Sequence, residues 1–276
     1  MHEALVEGVG VGQHVQALGA AGGEGGLDEP CAQALPPVIA GHDQGGQVGL
    51  QLAVAQKRVG IPPKRLGDVS ATGPQPREVL RRLRELGCPL VMGNADAELL
   101  DVASPGPETD DESRRISDIS RWCAAQLDDT ERAFLASFQP TVEISLGEES
   151  SLLCCHGSPR SYDDVIVAAT PDDEPEAMIE GHDAAIIAGG HTHIRMLRAH
   201  RGREVVNPGS VGLAYQFFRD GSVRVPPWAE FALLSQADTG AVSVDFRRVP
   251  YDHDATVRAM IEREMPHAAW WAADWR

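Results

Sequence analysis

The stretch Ala184-Ala185-Ile186-Ile187-Ala188-Gly189-Gly190-His191-Thr192-His193 decides how the chain is read. A short apolar run ended by two glycines reads as a buried strand opening into a tight loop, and that loop carries two imidazoles one residue apart. Imidazole is the commonest side-chain metal ligand. In extended backbone, residues i and i+2 point to the same side, so His191 and His193 face one site together while Thr192 points away. The pair predicts a metal site, against the plainer alternative of two surface histidines.

Working outward, other strand-like runs also stop at polar residues. Residues 203–206 run into Asn207-Pro208-Gly209-Ser210, and residues 152–155 stop at His156-Gly157-Ser158-Pro159. Residues 89–92 read as a strand ending at Gly93-Asn94-Ala95-Asp96, and Leu66 leads into Gly67-Asp68-Val69. Loops that follow sheet strands at their carboxyl ends emerge on one edge of an open α/β architecture, so separate strands can build one site. The donor types suit a hard-to-borderline divalent metal: a carboxylate, an amide oxygen and three imidazoles, with no thiolate.

Between these motifs, Pro76 opens a helix whose Val79, Leu80, Leu83 and Leu86 form one face and which Gly87 ends. Residues 101–115, with Pro, Gly and a run of Asp and Glu, read as a solvated loop. Ile116, Ile119, Cys123 and Leu127 recur at helical spacing, and Asp128 with Glu131 forms a capping box for a second helix through Phe138. Together these suggest a helical insertion over about residues 101–140. Residues 231–234 and 242–249 flank Asp238-Thr239-Gly240 as a hairpin.

In the order Gly67-Asp68, Gly93-Asn94-Ala95-Asp96, His156-Gly157, Gly190-His191-Thr192-His193 and Asn207-Pro208-Gly209-Ser210, the chain resembles the calcineurin-like metallophosphoesterases, particularly their small bacterial phosphodiesterase-type branch. The resemblance covers roughly residues 66–260. It implies an α/β fold, a four-layer αββα sandwich of two mixed sheets flanked by helices, with metals at one edge. It also implies that Asp68 is shared by two divalent ions, that Asn94, His156 and His191 complete the shell of one, and that His193 binds the other. Asp96 and Asn207 would support these ligands from behind. Two cations about 3.5–4 Å apart polarise phosphoryl oxygens and lower the pKa of a bridging water. The implied activity is hydrolysis of a phosphodiester, phosphomonoester or nucleotide, with Asp68, Asn94 and His156 as catalytic residues and Mn, Fe, Zn or Ni as candidate ions.

Two departures qualify that expectation. Where many family members carry a histidine after the Asn94 position, this chain has Ala95, so one proton donor to the leaving group is missing. The family also opens with a strand ending in Asp-x-His, and no such tripeptide stands in residues 1–66. That segment is rich in Gly, Ala, Gln and Val, with only a strand-like run at residues 37–40 and an apolar stretch from Val48 to Val54. Three explanations stand: His42 or Asp43 substitutes for the missing motif; the chain binds one ion or none; or a reading-frame shift lies upstream of the Asp68 codon. The domain expectation is an atypical segment over 1–66 and a metallophosphoesterase domain over 67–276. The alternative function is a non-catalytic domain of the same fold that binds a partner or senses metal.

The chain has 276 residues and a formal net charge of -17, which opposes non-specific attraction to nucleic acid or anionic membrane. No run approaches a membrane span and no secretory order opens the chain, so a cytoplasmic location is expected. Five cysteines without a Cys-x-x-Cys pair read as reduced, mostly buried thiols. The expected partner is a small phosphorylated substrate. The tail with Trp270, Trp271 and Trp275 reads as packing on the body or on a second copy, which leaves a homodimer open. His182, His200 and His253 read as solvated bystanders.

Overall fold

A computed structural model of the chain describes residues 2–7, 64–101, 109–147, 150–236 and 241–275. Strand β1 (His2–Glu7) lies parallel to β2 (Lys64–Arg65), with Glu7 opposite Arg65. Helix α1 (Pro76–Leu86) has its proline in the first turn, where the missing N–H leaves no bond unmade, and ends at left-handed Gly87. Helix α2 (Asn94–Leu100) starts directly from Gly93. Helix α3 (Asp111–Gln126) is capped by Asp110, which accepts the Ser113 amide, and α4 (Asp129–Leu135) by Asp128, which accepts from Thr130 and Glu131. There follow β3 (Val142–Gly147), β4 (Ser150–Cys154), α5 (Asp173–Ile179), β5 (Ile186–Ala188), β6 (Met196–His200) and β7 (Arg203–Asn207). The chain closes with β8 (Gln216–Phe217), β9 (Val223–Arg224), β10 (Trp228–Gln236), β11 (Val242–Pro250), α6 (His253–Glu262) and α7 (Ala268–Trp271).

Two sheets face each other. One has the order β11-β10-β1-β2 and the other β3-β4-β5-β7-β6, with β8 and β9 as a separate ribbon. The period of two along the strands divides their side chains between two cores. Leu152 and Cys154 of β4, Ile186 and Ala188 of β5 and Val206 of β7 point inward and meet Ala232 and Leu234 of β10. Leu153, Cys155 and Ile187 point outward and pack on Ile179 of α5. Strands buried on both faces read as unbroken apolar runs, as these do. A third core gathers Leu80 and Leu83 of α1, Leu99 of α2, Ile119 and Cys123 of α3 and Leu135 of α4 around Leu90 and Met92. Cutting Leu80 or Leu83 to alanine would cost about 2–5 kcal/mol.

Strands β4, β5 and β7 run parallel, so the loops after them leave by one edge. Arg65 bridges Leu90 in parallel, which brings the loops after β2 and after Met92 to a common end as well.

Several local expectations change. Residues 89–92 make only isolated bridges, Leu90 to Arg65 and Val91 to Gln139, instead of a full strand. Residues 111–115 are the first turns of α3, because Asp110 supplies a cap that turns an acidic run into a favoured helix start. Within residues 1–66, β1 pairs with β10 and β2, and Lys64, Arg65 and Leu66 are buried. His42, Asp43 and residues 37–40 and 48–54 lie outside the described residues. His200 is no bystander; it is 2% exposed, and its Nε2 lies 3.1 Å from Glu176 Oε2. His253 stacks on Trp275 at 5.1 Å between ring centroids. Cys88, Cys123, Cys154 and Cys155 are free and buried, as expected. No helix among the described residues is long and apolar enough to cross a membrane.

Candidate metal centre

The loops at the shared edge approach so closely that two glycines are required. A Cβ on Gly67 (φ +94) would lie 2.5 Å from the Gly93 nitrogen and 2.8 Å from His156 Nδ1, and one on Gly93 would overlap the Asp68 carboxylate. Three of the candidate ligands themselves sit in left-handed backbone: Asp68 (φ 53), His191 (φ 60) and His193 (φ 58). The histidine pair is therefore not the extended segment expected from its i, i+2 spacing. A tight loop brings both rings to the same end of the sheet. Such conformations are uncommon for non-glycine residues and cluster at functional sites.

Asp68 Oδ1 accepts the Ala95 amide at 2.8 Å, and Oδ2 lies 3.0 Å from His156 Nε2. Asn94 Oδ1 is 3.0 Å from that same Nε2 and 3.1 Å from His191 Nδ1. His156 Nδ1 donates to the Leu66 carbonyl, so Nε2 carries the lone pair in the neutral ring. One donor atom each from Asp68, His156 and His191 lies within 4.8 Å of the others. Four electron-rich atoms are thus turned toward one another, an arrangement that repels itself unless a cation or a proton stands among them.

The ionisation pattern agrees. The His156 imidazole is buried, which disfavours its charge, yet the Asp68 carboxylate and the Leu66 carbonyl raise its pKa overall. Burial likewise works against charge on Asp68, and His156 outweighs it, holding the carboxyl below the ordinary range. Burial, with His156, lowers the pKa of His191. His193 is pushed down to about 4 by burial against the pull of Asp68, and its buried Nδ1 has no hydrogen-bond partner among the described residues. Neutral imidazoles with free lone pairs are what a divalent ion takes, so Asp68, Asn94, His156 and His191 fit one ion. For a second ion the described residues offer His193 and the shared Asp68.

Two residues hold the ligand loops without joining the cluster. Asp96 is fully buried; Oδ1 accepts the Val69 amide at 2.9 Å and Oδ2 the Gly93 amide at 3.3 Å, tying the Asp68 loop to the Asn94 loop. Burial, then Asp68, raises its pKa to about 7. Asn207 Nδ2 donates to the Gly190 carbonyl at 2.6 Å and to Thr192 Oγ1 at 3.0 Å, while Oδ1 accepts the Gly209 amide at 2.9 Å. It fixes the loop that carries both histidines.

Sequence reasoning missed Tyr215, whose ring stacks on His193 at 5.2 Å. It also missed Asp163 and Asp164, whose charges reach His191. None belongs to a motif, and only the fold brings them to the edge.

Two facing sheets thus bring Asp68, Asn94, His156, His191 and His193 to one edge, with Asp68, His156 and His191 grouped as a possible metal site. The chain belongs to the calcineurin-like phosphoesterase superfamily, whose model matches residues 65–224. It is similar to the uncharacterized protein MJ0912 of Methanocaldococcus jannaschii, 23% identical over 217 residues that cover 73% of this chain and 81% of that one. Among solved structures, the hypothetical protein PH1004 of Pyrococcus horikoshii superposes with a TM-score of 0.59 at 20% identity, over 74% of this chain and 81% of that one. A metallophosphoesterase of Sphaerobacter thermophilus gives 0.55 at 24% identity, over 79% and 89%.

Proposed function

We propose that the protein hydrolyses a phosphoester with two divalent ions of unequal affinity, the tighter held by Asp68, Asn94, His156 and His191 and the weaker by Asp68 with His193. The observation that supports this reading is the convergence of Asp68 Oδ2, Asn94 Oδ1, His156 Nε2 and His191 Nδ1 around a space that needs positive charge. An ion bound there supplies Lewis acidity to a phosphoryl oxygen and a water of lowered pKa. The chain's own part is to hold the ligands. Leu66 fixes the His156 tautomer, Asp96 and Asn207 fix the loops, and Asp68 bears the charge common to both ions.

The nitrogen and oxygen donors, without thiolate, suit Mn, Fe, Zn or Ni. Ala95 offers no proton to the departing oxygen, which favours substrates with good leaving groups among small phosphodiesters, phosphomonoesters and nucleotides. The catalytic domain spans residues 67–276, with α3 and α4 as its helical insertion.

Titration of Mn²⁺ into metal-free protein, followed by hydrolysis of bis(p-nitrophenyl) phosphate, tests the reading. Mn²⁺-dependent turnover that falls at least about a hundredfold in Asp68→Asn, with folding retained, is expected. Absence of metal binding would sink it. The second reading, a binding or metal-sensing domain, is favoured by the short ligand set that the described residues offer a second ion. It predicts tight Mn²⁺ binding with no turnover of any phosphoester.

A further inference from the structure

The end of the chain builds a second cavity. Helix α7, the 3-10 turn Ala272–Asp274 and Trp275 fold back onto the β8/β9 ribbon, where the Val225 amide donates to the Asp274 carbonyl at 2.7 Å and Val225 bridges Trp275. The space there is an open-mouthed cleft of ≈ 290 Å³, lined by Tyr215, Trp270, Trp271, Trp275 and, 63% exposed, Phe217. The lining residues that carry charge are Glu112 and Asp274, both negative, and neither has an ion-pair partner among the described residues.

The rings are set at angles to one another: Tyr215 and Phe217 are 6.2 Å apart at 66°, Trp270 and Trp271 5.8 Å apart at 47°. Tyr215 and Trp275 each give one face to a histidine, His193 and His253, and so can offer a ligand the other, and an aromatic face is the negative pole of its quadrupole. Trp270 already accepts a cation: the Arg115 guanidinium, which does not line the cavity, sits 5.2 Å from its centroid. One polar atom is left over. The Trp271 indole N–H is buried with no partner, a donor suited to a hydroxyl or ether oxygen.

A neutral aromatic ligand would use the rings but draw nothing from Glu112 and Asp274, two exposed carboxylates, and an anion would be repelled by them. A primary ammonium would lose most of its water for a single kind of acceptor. An alkylated ammonium is weakly hydrated, spreads its charge over methyl groups and binds to several ring faces together, which is the known strength of aromatic enclosures. We infer that this cavity binds a small organic cation, an alkylated ammonium carrying a hydroxyl or ether oxygen, held by the five rings with Glu112 and Asp274 as counter-charges and the Trp271 N–H on its oxygen. The site adjoins the metal centre through Tyr215, which lines the cavity and stacks on His193, but the inference does not depend on the hydrolase reading.

The test uses the full-length, metal-free chain, so no phosphoester chemistry enters it. Choline chloride and its uncharged isostere 3,3-dimethylbutan-1-ol are titrated at constant ionic strength, read by calorimetry and tryptophan fluorescence. Saturable choline binding, at least about tenfold tighter than the alcohol, is expected. The double substitution Glu112→Gln with Asp274→Asn is expected to weaken choline about tenfold and leave the alcohol unchanged. Equal affinity for the two probes would overturn the inference, as would no saturation by roughly 100 mM choline. Should the double variant fail to fold by near-ultraviolet circular dichroism, the ratio of the two affinities in the unaltered chain decides alone.

Discussion

Gly93→Ala isolates the contact on which the metal centre rests. Gly93 has φ −102 and ψ 170, ordinary extended backbone, so alanine brings no conformational strain of its own. Its methyl, however, would overlap the Asp68 backbone nitrogen and Oδ1 and stand 2.8 Å from Cγ. Non-bonded heavy atoms are in comfortable contact at about 3.5–4.0 Å, so Asp68, backbone and carboxylate together, must retreat by on the order of an ångström. Overpacking of this kind costs about 1–3 kcal/mol in a filled interior. A displaced ligand loses affinity on the scale seen when its support is removed, about 10–100-fold. Gly87→Ala is the matched control. Gly87 (φ +60) has nothing within 4 Å of an added Cβ and caps α1 away from the site, so alanine there pays only for left-handed backbone, about 1 kcal/mol. Calorimetric titration of Mn²⁺ and urea unfolding of the metal-free forms separate the two effects. Both variants lose stability, but only Gly93→Ala loses Mn²⁺ affinity. If Gly93→Ala binds Mn²⁺ as tightly as the unaltered chain, Asp68 is not a ligand, and the argument from close approach fails.

Three further outcomes are expected. Ala95→His restores a proton donor at the start of α2 and should raise turnover about tenfold or more on alkyl leaving groups while leaving p-nitrophenyl substrates nearly unchanged; equal gains on both would contradict a general-acid role. Asp96 has a raised pKa of about 7, so it favours the metal-free folded state below the ordinary carboxylate range and loses that contribution as pH rises through about 7. Urea unfolding in chelator from pH 5 to pH 9 should show Asp96→Asn gaining on the unaltered chain as pH rises, and a difference that stays flat would refute it. Adding Mn²⁺ at about a hundred times its Kd stabilises by about 2.7 kcal/mol, a rise in Tm of roughly 5–10 °C, and this rise should vanish in Asp68→Asn.

What could be read from the chain depended on how local each cause was. Helix α1 announces itself by Pro76, an apolar face and Gly87, and α4 by the Asp128–Glu131 box, because caps and periodicity act within a few residues. The β10–β11 hairpin was likewise legible, although its turn lies outside the described residues. Helix α2 was not. It has seven residues and begins inside the Gly93-Asn94-Ala95-Asp96 motif, so its first turn reads as a loop, and its only cap signal, Asp96, was assigned to the site. Strand β1 was missed because His2–Glu7 is paired on both sides by partners far away in sequence, β10 and β2. The five candidate donors were legible as residue types after strands. Their roles in holding one another were not, since the Leu66 carbonyl on His156 and the Tyr215 ring on His193 arise from contacts across the sandwich.

The way each ligand is held argues for unequal ions. Left-handed backbone costs an L-residue roughly 1–2 kcal/mol, and Asp68, His191 and His193 all adopt it. For the first two the surrounding structure makes that cost bearable. Asp68 is fixed by the Ala95 amide and by Asp96 across its loop, and the Asn207 bonds to Gly190 and Thr192 bracket His191. His156 needs no unusual backbone and has its tautomer set by Leu66. These donors are therefore in place before an ion arrives, and preorganised ligands lose little entropy on binding. His193 is held differently: its ring rests on the face of Tyr215 and bonds the Leu213 backbone, while its Nδ1 has no partner among the described residues. On the proposed two-ion reading, Asp68, Asn94, His156 and His191 offer more donors than the His193 side does among the described residues, so calorimetric titration of Mn²⁺ should show the first equivalent binding more tightly than any second.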